Sequence, residues 1–532
     1  MKYFVFRNST IELFFNGSET IFSGYGDISH IDKTADAYIW FYLMPYGLNN
    51  DNMASEIKLY KKMVDMVYSN ISINKEFIVF TIEPLYAMNY VTSDLTLLDA
   101  VNDYNQNMYT MSKKSNVKII DIRNFFHKFS KDQLIDWKYY FLSQMHINPK
   151  LAPQFKKWFS RQLDILAMKR KKCIVLDLDN TLWHGILEED GVNGIKMGED
   201  YPGNVYSFFQ AYLLELSCNG IILAICSKNN EEDVLSVLEN HPDMLLKKDA
   251  FPSYRINWNN KADNIREIAL ELNIGLDSMV FIDDNPAERE LVKQHLPEVS
   301  VPEFPTKPYL YPVLIKQLTD EYFSTYMLTK EDLGKTRQYK ENAERVQKKN
   351  QFLDMEKYLR SLEIKLTIEQ LNEFNKARFA QMTQKTNQFN LTTRRYTETE
   401  IQSFVDNGGL IFGLRVKDRF GDNGLTGLMI VLIDEKTAYI DTILLSCRIL
   451  GKEIEFFFIK YVLMKLKDKG LTHIKATYIK TPKNQQAEKF YDAIGFTVTD
   501  IFAERTDYEL LLNEKEFSLS SVYELEDLCE NK

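Results

Sequence analysis

The stretch CIVLDLDNTLWHG, Cys173 to Gly185, constrains this chain more than any other. Four apolar residues run directly into two aspartates spaced two apart. An apolar run that short reads as a strand buried on both faces, the kind found in parallel sheets. Alternate strand residues share a face, so Asp177, Asp179 and Thr181 can all serve one crevice. In open α/β sheets such crevices lie outside the carboxyl ends of the strands. Two carboxylates alone are a weak signal, because solvated acidic strand ends carry the same pattern.

The pattern continues on both sides of that stretch. Apolar runs IILAICS and MVFIDD alternate with helical stretches such as YSFFQAYLLELSC, which Gly220 closes, and EEDVLSVLENH. Upstream, DAYIWFYLMP, EFIVFTIEP and NVKIIDIRN read as buried strands. ASEIKLYKKMVDMVYSNI and DLTLLDAVNDYNQNMYTMSKK carry helical spacing between them. Downstream, GLIFGLRV, LTGLMIVLID and TAYIDTILLS read as strands, followed by the helix EIEFFFIKYVLMKLKDKG. A chain of 532 residues exceeds one hydrophobic core. We read an α/β multidomain protein: an α/β domain over 1–167, a parallel sheet over 168–308, a charged helical stretch over 309–355 that is a solvent-facing connector or the first helix of the next domain, and an α+β domain over 356–532. MKRKK marks the first boundary, and the prolines at 297, 302, 305 and 308 mark the second. In the connector, Thr329 stands where it would cap a helix, with Asp332 three residues on.

Composition narrows the function classes. A net charge of −10 argues against bulk nucleic-acid binding. No run approaches a membrane-spanning length, and the N-terminal MKYFVFRNSTIELFF is too interrupted for a secretory leader. The five cysteines show no metal-ligand spacing and read as reduced thiols of a cytoplasmic protein. Cys173, Cys218 and Cys226 read as core residues.

The two aspartates have companions further along. Ser227 ends IILAICS, Lys261 precedes a helix in NWNNKADNI, and Asp283 and Asp284 end MVFIDD. This order over 172–308 resembles the haloacid dehalogenase (HAD) superfamily. The resemblance implies that Asp177 is the nucleophile forming an aspartyl-phosphate. It implies that Asp179 protonates the leaving oxygen and then activates water. Thr181, Ser227, Lys228 and Lys261 would hold phosphate. Mg²⁺ would bind Asp283, Asp177 and the backbone carbonyl of Asp179, with Asp284 in support. Charge agrees with that assignment, because a phosphate dianion and a carboxylate repel until a cation and a lysine neutralise them. The short interval between Asp179 and Ser227 leaves no room for a large cap domain.

With LDLDNTLWHGILEEDG and FIDDNPAER come three further stretches: TQKTNQFNLTTRRYTETEI, DRFGDNGLTGL and DTILLSCRILG. Together they resemble the FkbH-like proteins from about residue 172 to 510. The resemblance implies a HAD-type phosphatase/glyceryltransferase. It would dephosphorylate 1,3-bisphosphoglycerate, a phosphorylated C3 substrate, and load glyceryl onto the phosphopantetheine arm of an acyl carrier protein in polyketide or other secondary-metabolite biosynthesis. NQQAEKFYDAIGF resembles the last motif of Gcn5-related N-acetyltransferase (GNAT) folds, with Asn484, Tyr491 and Gly495-Phe496 in place. SCRILGKEIE stands where that fold binds the CoA pyrophosphate. Arg448 and Gly451 match, but Glu453 replaces a small residue and would repel pyrophosphate.

Cys447 sits at that turn beside Arg448, as a nucleophile to carry glyceryl or as a small residue packed under the turn. Asn387, Asn390, Arg394 and Arg395 form a polar wall for phosphate or pantetheine, or an ordered loop and cap. DWKYYFLSQMHINPKLAP resembles the closing block of SGNH hydrolases, with His146 near the usual histidine. The matching nucleophile motif is absent and Ser9 stands in the wrong context, so a degenerate fold is expected. Two other readings stay open: a small-molecule phosphatase fused to an N-acyltransferase acting on a sugar or amino sugar, and a non-enzymatic scaffold.

Overall fold

A computed structural model of the chain describes residues 2–15, 19–86, 90–328, 339, 355–386, 389–446, 449–482 and 484–529. The expected cap at Thr329 and Asp332 lies outside them. The chain divides into two compact units, one of residues 1–166 with 396–403, the other of 167–395 with 404–532.

The first unit holds a five-stranded parallel sheet. Its strands are β1 (Tyr3–Arg7), β2 (Thr20–Tyr25), β3 (Ala37–Phe41), β4 (Glu76–Phe80) and β5 (Val117–Ile120), in the order β2-β1-β3-β4-β5. β3 and β4 are the apolar runs read from the sequence, and both are almost wholly buried. Helices Asn50–Asn70 and Thr96–Met111 supply Ile57, Tyr60, Val64, Val101, Tyr104 and Met108 to the core beside the sheet. Their spacing of three and four residues is that of one helical face. The N-terminal aromatic run YFVFR is itself β1.

In the second unit, β6 (Cys173–Leu176), β7 (Ile222–Ser227), β8 (Ser253–Ile256) and β9 (Met279–Ile282) form a parallel sheet ordered β8-β7-β6-β9. The order reverses at β6, which makes its carboxyl end a topological switch point. Between β6 and β7 stand only the short helix Leu187–Asp190 and the helix Gly203–Cys218, so no large cap is present. Cys173 and Cys226 are buried as expected, whereas Cys218 is exposed. Tyr206, Phe209, Leu213 and Leu216 turn inward on that helix, and its last residue falls on the other face.

The region from 309 also departs from expectation. Instead of a solvent-facing connector, helix Tyr311–Leu318 buries Tyr311, Leu314 and Leu318 in the core around β6, and Phe323 follows them. Their three- and four-residue spacing is the amphipathic signature that the neighbouring prolines and charges obscured.

The remaining sheet is mostly antiparallel. Its strands are β10 (Lys365–Gln370), β11 (Phe389–Asn390), β12 (Leu410–Asp418), β13 (Gly421–Asp434), β14 (Thr437–Leu445), β15 (His473–Ile479), β16 (Thr497–Ile501), β17 (Arg505–Leu511) and β18 (Glu524–Asp527). The order is β16-β17-β15-β14-β13-β12-β10-β18, with β11 on β14. Helix Ile454–Asp468 crosses from β14 to β15, which pair in parallel only from Thr437 to Ile440 against His473 to Ala476. Beyond that pairing, Leu391 sits between the two strands. Its N–H donates to Ile443 O at 3.2 Å, and its carbonyl accepts from Ile479 N at 2.8 Å.

Candidate active site

Each polar tip of the four-stranded sheet is built by local chemistry. The helices that follow β7, β8 and β9 are capped by Asn230, Asn260 and Asn285, whose side chains accept from backbone N–H groups of the first turn. The cap at Asn260 places Lys261 at the first residue of its helix. After β6 the chain turns sharply. Asn180 takes a left-handed conformation (φ 52°), and its side-chain oxygen accepts from Gly185 N at 3.0 Å. Asparagine tolerates that region better than most residues because its short side chain bonds locally. Leu178, Leu182 and Trp183 then go into the core, which leaves Asp177 and Asp179 at the crevice.

Asp177, Asp283 and Lys261 are all buried. Lys261 Nζ donates to Asp177 Oδ1 at 2.8 Å and to Asp283 Oδ2 at 2.6 Å. Burial pulls the lysine toward neutrality, and the two carboxylates more than reverse it, so its pKa stands above the ordinary value. Burial and the neighbouring Asp177 push Asp283 above the usual carboxylate range. The same causes push Asp284 up to about 6.

One carboxylate oxygen each from Asp177, Asp283 and Asp284 lies within 4.8 Å of the others. Three acids against one lysine leave an anionic excess, and all the donors are hard oxygens. That donor set fits a divalent cation such as Mg²⁺. Asp284, expected only in support, brings its carboxylate into this group.

The Asp179 side chain stands apart from that cluster. Its Oδ1 accepts from Trp183 Nε1 at 2.9 Å and from Leu187 N at 3.0 Å, and its Oδ2 accepts from Asn229 Nδ2 at 2.9 Å. Asn229 also donates to Ser227 Oγ at 3.2 Å, tying two strand-end residues together. Thr181 is fully buried, and its hydroxyl has no hydrogen-bond partner. Lys228 reaches Glu288 Oε1 at 2.7 Å. Arg289 donates to the carbonyls of Asp283 (2.9 Å) and Asp284 (2.8 Å), fixing the β9 tip.

Sequence reasoning missed Trp183, Asn229 and Arg289 as positioning residues. Asn229 was the most accessible of them, because it stands two residues beyond Ser227 in SKNN and shares its alternation.

Most of the C-terminal candidates have other partners, although the buried hydroxyl of Tyr491 has none. Asn484 is fully buried. It donates to the carbonyls of Asn390 and Ile479, both at 2.9 Å, and accepts from Tyr478 Oη at 3.1 Å and Thr481 N at 2.8 Å. Asn390 accepts from Thr393 N at 2.9 Å and donates to Thr386 O at 3.2 Å. Arg394 pairs with the buried Asp441, and Arg395 donates to the carbonyls of Thr383 and Thr386. Tyr491 packs among Phe490, Phe496 and Tyr508. Gly451 takes φ 75° with open space beside it.

Glu453, itself left-handed at φ 58°, precedes helix Ile454–Asp468, and Glu455 follows in its first turn. Burial first and Glu453 next raise the pKa of Glu455. Two acids at that helix start oppose a pyrophosphate. Asn387, Cys447 and Arg448 lie outside the described residues.

In the first unit, burial pushes the His146 imidazole down to about 4. Neither its Nδ1 nor the hydroxyl of buried Ser9 has a hydrogen-bond partner, so the two do not pair as nucleophile and base. No helix among the described residues is long and apolar enough to cross a membrane.

Parts of the chain are similar to known proteins. Residues 172–305 match the family model of the NLI interacting factor-like phosphatases. A crystal structure of the N-terminal part of a Bacteroides fragilis protein, containing a phosphatase domain and complexed with Mg, is 28% identical to this chain. It covers 62% of this chain and 95% of its own, with a TM-score of 0.52. The ribosomal-protein-S18-alanine N-acetyltransferase from Escherichia coli is 13% identical and covers 28% of this chain and 94% of its own, with a TM-score of 0.23. The PaiA N-acetyltransferase from Thermoplasma acidophilum, in complex with coenzyme A, is 19% identical and covers 22% of this chain and 72% of its own, with a TM-score of 0.19. No curated protein matches the chain. The chain is an enzyme with a HAD-type, NLI interacting factor-like phosphatase domain.

Proposed function

We propose that this chain is an Mg²⁺-dependent phosphatase that works through an aspartyl-phosphate and serves acyl loading of a carrier protein. The observation that supports it most is the buried Asp177–Lys261–Asp283 contact at the switch point of the sheet, with Asp179 held separately beside it.

In this reading a carboxylate oxygen of Asp177 attacks phosphorus, and the bond from phosphorus to the leaving oxygen breaks. Asp179 gives that oxygen a proton. Asp179 then takes a proton from water as the water attacks the aspartyl-phosphate, and Asp177 and inorganic phosphate are released. Trp183, Leu187 and Asn229 hold both oxygens of Asp179 and so aim the proton transfer. Lys261 offsets charge on the phosphate and on Asp177. Asp177, Asp283 and Asp284 would hold Mg²⁺, which supplies further neutralisation of the crowded oxygens.

The finer reading is removal of phosphate from 1,3-bisphosphoglycerate and transfer of glyceryl to a holo acyl carrier protein. It rests on the resemblance of the motif set to FkbH-like proteins. The rival reading, a phosphatase fused to an N-acyltransferase that uses acetyl-CoA, is opposed by Glu453 and Glu455 at the helix start. Incubation with Mg²⁺, 1,3-bisphosphoglycerate and a holo carrier protein, followed by intact mass measurement of the carrier, tests it. A glyceryl adduct together with released phosphate is expected. Phosphate release with an unmodified carrier would sink the loading half and leave the phosphatase half standing.

A further inference from the structure

The crevice holds two lysines with opposite freedom. Lys261 is buried and committed to Asp177 and Asp283 at once. Lys228 carries its charge on a side chain 37% exposed.

Lys228 is the first residue beyond β7, and Glu288 stands in the first turn of helix Pro286–His295, which follows β9. In the sheet order β8-β7-β6-β9, β7 and β9 lie on opposite sides of β6. Neighbouring strands are about 4.8 Å apart, so these two residues start roughly 10 Å from each other. Their side chains close that gap with an ion pair of 2.7 Å. The pair therefore spans the carboxyl end of β6, where Asp177 and Asp179 stand. The Glu288 carboxylate is held by this lysine through one oxygen, while its other oxygen is buried without a hydrogen-bond partner.

We propose that Lys228 is a specificity residue for a second anionic group on the substrate, and that Glu288 is its resting partner. The proposal rests on the phosphoryl-transfer reading above and names its substrate class: a phosphomonoester that also carries a carboxylate or a second phosphate. The lysine stem is long and flexible enough to exchange one anion for another at the mouth. The carboxylate of Glu288 competes with that substrate group for the same ammonium. Loss of the lysine and loss of its partner must then act in opposite directions.

The test compares 3-phosphoglycerate with glycerol 3-phosphate in the Mg²⁺-loaded full chain. These probes share a three-carbon phosphomonoester and differ in the carboxylate. The readout is the ratio of their kcat/KM values. Lys228→Gln is expected to lower the ratio about tenfold, Lys228→Arg to restore most of it, and Glu288→Gln to raise it severalfold. A ratio that stays the same in Lys228→Gln, or that falls in Glu288→Gln as well, overturns the proposal. Absence of turnover of either probe by the unaltered protein is a different failure, since it strikes the phosphatase reading itself.

Discussion

Around the end of β6, side chains from four separate stretches of sequence meet with charge left over. Between β14 and β15, an equally polar stretch is consumed by the fold. Asp177 and Asp283 share one lysine, and with Asp284 beside them they keep an anionic excess. Asn484, by contrast, spends both donors and its acceptor on Asn390, Ile479, Tyr478 and Thr481. Arg394 pairs with Asp441 and Arg395 with backbone carbonyls. Buried polar groups are normally satisfied, so a dense run of donors marks a site only where bonding capacity remains. The same residue types thus make a reactive crevice in one sheet and a structural seam in the other.

The most direct way to break this contrast is Asp177→Asn. It removes the attacking oxygen, and phosphate release is expected to fall on the order of 10⁴-fold. Residual turnover within tenfold of the unaltered protein would refute the nucleophile. Asp179→Asn is expected to cost about 10²- to 10⁴-fold in kcat. Asn229→Ala, which frees one oxygen of Asp179, should cost far less, about tenfold, and mostly in kcat.

The opposite behaviour is expected in the seam. Asn484→Ala leaves buried carbonyls and an N–H without partners, so it should destabilise the fold by about 3 kcal/mol. Phosphate release at temperatures below unfolding should persist. A large loss of activity with unchanged thermal stability would instead make Asn484 part of a reaction centre.

A pH dependence of metal binding is expected as well. Asp283 and Asp284 are raised by burial and by Asp177, Asp284 to about 6. Below that pH the metal-free site holds protons that a cation must displace. Apparent Mg²⁺ affinity should therefore weaken as pH falls through about 6, by up to roughly tenfold per unit for each proton displaced, and flatten above it. Titration of Mg²⁺ by calorimetry at several pH values checks this, and an affinity constant from pH 7 to 5 would remove the carboxylate cluster as the metal site.

Much of the phosphatase domain was legible because its signals are local. β6, β7 and β9 are short apolar runs, each ending in or directly followed by a polar residue, and Asn230, Asn260 and Asn285 stand immediately before helical spacing. The region after 309 was misread because helix Tyr311–Leu318 hides its buried face among prolines and charges. The exposure of Cys218 was misread because an apolar helix offers little contrast between its faces. β10 and β15 went unread, since their alternating threonines and lysines look like loop until an antiparallel partner covers one face.

By itself, the sequence determined that acids, a serine and a lysine would arrive at strand ends in a fixed order. Strand alternation and helix capping act within a few residues, and so they are written there. Only the tertiary structure decided who meets whom. Lys261 joins Asp177 to Asp283, Asn229 holds Asp179, and Lys228 reaches Glu288 across the end of β6. It also decided that Leu391 would fill the gap between β14 and β15. Those contacts join segments far apart in the chain. They depend on the order of strands in the sheet, and local pattern carries no record of that order.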